Sequence, residues 1–309
     1  MNPLGKNLES PGLGASQLGG RPQIVNVVDG GRYQTVAESL AEIWMYRPLI
    51  AELVRRDLKV RYKNRVGGII WSLFPALMQV LTITLMVKFF FAPVSNYSAY
   101  LMPVMFLWTF FQTSLMDASN SIIINAPLAR KIYFPRAILP IVAMISNVFH
   151  LGVALVITFG YFFVLGAYPS QMGPLVIMVI PICLVVASLS LGVGFMLARM
   201  STLYEDVRFT VVTFLGLYFY LLPILYPIER VAHKGVVYRL YMANPMAALL
   251  VSFQRAILKP PVVMEGLVRL APVHFPWLYF SVAAVFSFFI LVFGFVSFEK
   301  SKWLMMERL

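Results

Sequence analysis

The side chains able to carry chemistry are few and scattered. Three histidines, His150, His233 and His274, stand far apart, and the single cysteine, Cys183, lies inside an apolar run. No HExxH, GxxxxGK[ST] or GxGxxG pattern occurs, so no zinc site or phosphate-binding loop is legible. One cysteine builds neither a disulfide framework nor a thiolate metal site. A transferase working on a sugar at a membrane face would need paired carboxylates or a histidine–acid pair. The nearest candidates, Glu205 and Asp206, have no obvious histidine partner. An ion-coupled carrier would place several acids at depth, yet the apolar runs hold Lys88, Asp117, His150 and little else. Lys88 stands at the end of a run and can snorkel. Asp117 offers either a packing hydrogen bond or a pathway or dimer contact, and His150 a bond to a neighbouring helix. An energy source therefore has to come from another chain.

The elements that position these groups belong to a membrane protein. The chain has 309 residues, is 60% hydrophobic and carries 12% charged residues, about half the charged share of a soluble domain; its mean hydropathy is +0.80. A net charge of +12 would suggest nucleic acid for a soluble chain. Here the cations fit the cytoplasmic side of membrane spans and contact with anionic lipid, and no nucleic acid is expected. About 20 mostly apolar residues cross a bilayer as a helix. Six stretches qualify: 67–87, about 100–119, about 137–167, about 174–198, about 209–228 and about 276–298. A seventh candidate, 236–258, is interrupted by Arg239, Asn244-Pro245 and Arg255. A charge at mid-membrane costs about 2.5–3.5 kcal/mol and a proline breaks the helix. Two short amphipathic helices are expected there, lying at the interface or dipping in and returning.

Charge sets the orientation. "RRDLKVRYKNR" before the first span places Arg55, Arg56, Lys59, Arg61, Lys63 and Arg65 against a single Asp57, which predicts a cytoplasmic N-terminus. Six spans return the C-terminus to the same side. The outer segment 229–275 resists the rule, holding six Lys and Arg, but long segments follow it less well. Residues 1–36, rich in Gly, Pro, Ser and Asn, read as a flexible cytoplasmic tail without a signal peptide. Residues 37–66 form the next region. In it Ile50, Val54, Leu58 and Tyr62 recur at every fourth position opposite Arg55, Arg56, Lys59 and Lys63. This predicts a basic amphipathic helix along the inner membrane surface, started by Pro48. The six-span domain is 67–309.

Between the second and third spans stands "NAPLARKIYFPRAILP". Leu128, Ile132, Tyr133 and Phe134 are apolar yet face the cytoplasm; Arg130, Lys131 and Arg136 are basic; Pro135 and Pro140 bracket it. Such a stub suits a partner's groove, with the cations steering the partner, or its aromatics sit in the headgroup belt.

This segment, with "LIAELVRRDLKVRYKNRVGGIIWSLFPALMQVL" (49–81) and "NPMAALLVSFQRAIL" (244–258), resembles the ABC-2 type permeases that export polysaccharides, a family that includes O-antigen, capsule and teichoic acid exporters. The resemblance runs from about residue 49 to the C-terminus; the tail 1–36 is longer than usual. It implies an all-α membrane protein of the bacterial inner membrane with six spans and both termini cytoplasmic. It implies a homodimer working with two copies of a separate ATPase, which binds the ATP and magnesium, so the chain itself takes no cofactor or metal. Residues 121–135 would be a coupling helix docked on that ATPase through Leu128, Arg130, Lys131, Tyr133, Phe134, Pro135 and Arg136. The interfacial helix with Arg55, Arg56, Lys59 and Arg61 would also touch it. Residues 229–275, with Asn244, Pro245 and Arg255, would form short gating helices on the outer side.

The fifth span carries Phe214, Tyr218, Phe219, Tyr220 and Tyr226. Such rings could stack on sugar C–H faces and line a polymer channel, or face lipid and headgroups. In the fourth span Ser190, Gly194 and Ala198 give a small-residue packing face. The expected activity is ATP-driven export of a lipid-linked polysaccharide. A drug or lipid exporter of the same fold, a membrane transferase acting on a lipid-linked sugar, and an ion-coupled transporter are the rivals.

Overall fold

The computed structural model describes residues 36–62, 69–90, 97–164, 175–261, 264–265, 268–302 and 304. The expected tail therefore lies, up to residue 35, outside the described residues, and so do 63–66 of the region after it.

Twelve helices are found among the described residues. The first two, α1 (Val36–Met45) and α2 (Arg47–Tyr62), precede the bundle. Then come α3 (Ile69–Phe90), α4 (Tyr97–Ile124), the short α5 (Ala126–Lys131) and α6 (Ile138–Val164). A single 3-10 turn (Val176–Met178) leads into α7 (Val179–Leu203), followed by α8 (Asp206–Leu221). The short α9 (Glu229–Ala232), α10 (Val236–Met242) and α11 (Pro245–Ile257) follow, and α12 (Trp277–Lys300) is the last of the twelve. One two-residue antiparallel pair, Met264–Glu265 with Val268–Arg269, interrupts the helical pattern.

Four of these elements are long and apolar enough to cross a membrane: α4, α6, the 3-10 turn with α7, and α12. The pair α10–α11 is apolar enough together but bends by 93° at Ala243–Asn244. The bend is written in the sequence. Asn244 is extended and its side-chain oxygen accepts from the Met246 and Ala247 amides, while Pro245 occupies the first turn, where a proline costs no hydrogen bond. Two expected spans are shorter in this respect. Among the described residues α3 contributes a shorter apolar stretch, Leu73–Phe89, and α8, expected to reach Ile228, ends at Leu221. Leu222 is extended because it precedes Pro223, and a proline disfavours helical backbone in the residue before it.

The core is organised on α4, which is buried over most of its length. It packs against α6 and α7, and α12 packs on α7. The α7–α12 contact is close because glycines face each other: a Cβ on Gly192 would come within 2.6 Å of the Ile290 backbone, and one on Gly294 would strike the backbone of Gly192. Helices that meet in lipid gain little from apolar burial and rely on such backbone proximity. The outward face of α12, with Leu278, Val282, Val285, Phe289 and Phe293, is exposed and apolar, as a lipid-facing surface must be.

A second, smaller core lies at the end of the bundle where α4 runs into α5. Leu53 of α2, Ile43 of α1, Phe134, Ile138 and Phe298 meet there, with Leu49, Ile50 and Val54 packed beside them. The apolar stripe of α2 thus rests at least partly on the protein's own bundle.

Candidate functional site

Two regions gather the functional candidates: the end of the bundle around α5, and the two sides of α8. At the bundle end, α4 stops at Ile124 and Pro127 opens α5 in its first turn. Ile132 is extended and Pro135 prevents helix before it. The segment's residues separate into two sets. Arg130, Lys131, Ile132 and Tyr133 point outward, Tyr133 at 70% exposure. Phe134 points inward at 2% exposure, with the Arg136 guanidinium 5.6 Å from its ring centre. This corrects the sequence reading, which placed Phe134 with the exposed docking residues. It anchors the segment to the second core, as half-buried Leu128 does, and Tyr133 is left as the outward aromatic. Pro135 and Arg136 are half-buried, and burial lowers the Arg136 pKa from its ordinary value.

The cations of α2 also divide. Arg55 pairs with Glu52 at 2.9 Å on the open face, and Lys59 is exposed. Arg56 reaches across to the Asn125 side-chain oxygen at the start of α5, at 2.6 Å. Arg61 turns into the bundle. Its two terminal nitrogens donate to Asn147 Oδ1 at 3.0 Å and Asp117 Oδ2 at 2.9 Å, with Asp57 3.6 Å away. Burial pulls the Arg61 pKa down, but the Asp117 and Asp57 carboxylates outweigh it and hold it above its ordinary value. Asn147 in turn donates to Asp117 at 2.9 Å. One turn further along α6, His150 Nδ1 lies 3.0 Å from the Tyr62 hydroxyl. Asp117 and His150, whose roles the sequence left open, are therefore partners of α2. Such a fork suits a carboxylate–amide pair and ties α2 to α4 and α6. Asn147 was not singled out in the sequence, though a lone amide inside an apolar run is a readable signal.

The five aromatic residues of the expected channel do not share one surface. Phe214 and Tyr218 stack with ring centres 5.6 Å apart and line an apolar groove of about 550 Å³ between α4, α7, α8 and α12, which also touches Pro245 and Met246. Phe219 is buried against Trp108, ring centres 5.9 Å apart. Tyr220, 66% exposed, lies on the opposite side of α8. There a second cavity of about 380 Å³ is lined by Gln79 of α3, Trp108 and Gln112 of α4, and Thr213 and Gly216 of α8, together with Phe219 and Tyr220. Tyr226 bonds the Tyr241 hydroxyl, and Tyr241 donates to the Leu221 carbonyl at 2.6 Å. The glutamines and Trp108 were missed in the sequence. Their signal is a four-residue step, Trp108 to Gln112, that puts an indole and an amide on one helix face.

The expected gate residues are placed by α8 and α9. Tyr218 donates to Asn244 Oδ1 at 2.7 Å, so one side chain both caps α11 and holds it to α8. Arg255 is buried and donates to Glu229 Oε1 at 2.5 Å, the pair being 1% and 0% exposed. The Val273 amide donates to the same oxygen at 3.4 Å. Among the described residues no group of three or more metal-ligating side chains is found.

Known proteins supply the context for this geometry. Residues 48–258 match the family described as ABC-2 type transporter. The chain is 26% identical over 262 residues, 84% of its length and 95% of the relative's, to the O-antigen export system permease protein RfbA of Klebsiella pneumoniae. It is also 26% identical over 216 residues to the protein of the same description from Myxococcus xanthus, covering 69% of this chain and 81% of the relative.

Proposed function

Because the chain belongs to the ABC-2 type transporter family, a multi-pass membrane protein family, we propose that it is the membrane subunit of an ATP-driven exporter of a lipid-linked polysaccharide. It acts as a homodimer in the bacterial inner membrane, with both termini and α5 on the cytoplasmic side and six crossings in all. ATP and magnesium are bound by two copies of a separate ATPase. The observation that carries this reading is the cavity between α3, α4 and α8. Its Gln79, Gln112 and Thr213 offer hydrogen bonds, and the exposed Tyr220, backed by the buried Trp108, offers a ring face, without a fixed charge. Neutral sugars need hydrogen-bonding groups and aromatic faces, and many weak contacts let a polymer slide. The relatives' described role in O-antigen export supports the polymer.

The lever is the α5 segment. Tyr133, Arg130 and Lys131 meet the ATPase, Phe134 and Leu128 transmit its movement to the second core, and Arg56 carries the movement to α2. The outer helices α10 and α11, hinged at Asn244–Pro245, gate the far end. Gentle purification followed by identification of co-purifying chains tests the energy source, and a stoichiometric P-loop ATPase is expected. Replacing Gln79 and Gln112 together by Ala should slow polymer export severalfold while leaving that complex intact. Unchanged export would remove the cavity from the path. The apolar groove beside Phe214 favours a second reading, export of a lipid or apolar drug. A transport assay offering polymer against small hydrophobic compounds separates the two.

A further inference from the structure

A third cavity, of about 210 Å³, opens at the end of α4 that leads into α5. Met116, Ser119 and Asn120 of α4 line it together with Arg208, Phe209, Val211 and Val212 of α8. Val212 also lines the cavity of Gln79, Gln112 and Tyr220, so the two adjoin along one side of α8. From Arg208 to Tyr220 this side runs about 18 Å at 1.5 Å per residue. Arg208 is the only charged residue among those lining either cavity. Its Nε is buried, and among the described residues it has no hydrogen-bond partner; Glu205 and Asp206 nearby are exposed and do not line the cavity. A guanidinium donor withdrawn from water without an acceptor is costly, and guanidinium matches phosphate oxygens in a fork. On the α4 wall Asn120 lines the cavity with its amide nitrogen donating to the Met116 carbonyl at 2.9 Å, and the buried Ser119 hydroxyl is bonded to Ser201 of α7.

We propose that this cavity is a phosphate subsite, in which Arg208 binds the phosphate of a lipid at the foot of the neutral groove. The proposal rests on the export reading above for its choice of ligand: a phosphate joining lipid and sugar would sit at Arg208 while neutral sugars occupy the groove beyond. The phosphate could equally come from a bilayer phospholipid, and the test separates these sources.

The full chain in nanodiscs of zwitterionic lipid is titrated with farnesyl diphosphate and with farnesol, which share a tail and differ in phosphate. Wild type should prefer the diphosphate by at least about tenfold, the worth of one or two charge-assisted hydrogen bonds. Arg208→Gln should lose that preference, and Arg208→Lys should keep part of it with the same thermal stability as wild type. Equal binding of both probes by wild type, or a preference surviving in Arg208→Gln, overturns the subsite. Competition by phosphatidylglycerol as effective as by the diphosphate would assign the phosphate to a bilayer lipid; failure of phosphatidylglycerol to compete assigns it to a carrier. Polymer export by cells is scored separately. No export with an Arg208-dependent diphosphate preference fells the export reading and leaves the subsite standing. Export with an Arg208-independent preference does the reverse.

Discussion

The ion pair of Arg255 and Glu229 offers the sharpest test of how the α9–α11 region is held. Both side chains are fully buried, at 1% and 0% exposure, and 2.5 Å apart. Arg255 Nε and one terminal nitrogen, and Glu229 Oε2, find no further partner among the described residues. Removing one partner leaves a charge buried and unpaired, which costs about 3–5 kcal/mol, more than a hundredfold in the folded ratio. Replacing both by apolar residues of similar volume removes the cost of burying charge as well, so the double variant should fall within about 1 kcal/mol of wild type. Arg255→Met, Glu229→Leu and their combination would be compared by titrating the purified chain with a denaturing detergent. The expected order is wild type and double variant close together, with both single variants well below. The coupling between the two changes should be several kcal/mol. Single variants as stable as wild type, or a double variant as weak as the sum of the singles, would refute the reasoning. The first result would mean that the pair is not dry, and the second that each side chain is held by something other than its partner.

Three further outcomes follow from the packing. Phe134→Ala should destabilise the chain by about 3–5 kcal/mol, because it empties a filled core, whereas Tyr133→Ala should leave the melting temperature unchanged and weaken ATPase association in a pull-down. Gly192→Ala should lower thermal stability clearly, since its Cβ would meet the Ile290 backbone at 2.6 Å, while Gly152→Ala, with nothing within 4 Å, should be neutral or slightly stabilising in the same melt. Asn244→Ala should cost about 2 kcal/mol, a lost helix cap plus a stranded Tyr218 hydroxyl, and Tyr218→Phe only about 1 kcal/mol; equal losses in the two melts would show that the cap is not formed.

How much of this was written in the sequence differs from element to element. Long apolar runs with no competing pattern placed α4, α6, α7 and α12 to within a few residues, because twenty apolar residues have few alternatives in a bilayer. The Asn244-Pro245 step gave the break between α10 and α11 for the same reason: capping is local chemistry. The end of α8 was misjudged because apolar composition continues through Ile228 while Pro223 ends the helix, and backbone outranks hydropathy there. The site was less legible. A stripe of apolar residues says that one face will be covered, not by what, so α2 resting partly on the bundle and Phe134 turning inward needed coordinates. The aromatic residues of α8 were found, but a helix crowded with rings on all sides does not reveal which side is a wall and which a passage. The Arg61–Asp117–Asn147 and Glu229–Arg255 partnerships join residues 26 to 86 positions apart, and no local pattern encodes such distances.

The touching backbones of α7 and α12 have a mechanical consequence. Two helices whose main chains meet at Gly192 and Gly294 cannot slide or roll on each other without collision, so they form a strut, and α4 packed on α7 extends it. In the proposed export path, a change in bore between α3, α4 and α8 would then come from the two lighter walls swinging about a stationary one. The passage resembles a door hung on a post, and substitutions that loosen the post should blur the stroke rather than lengthen it.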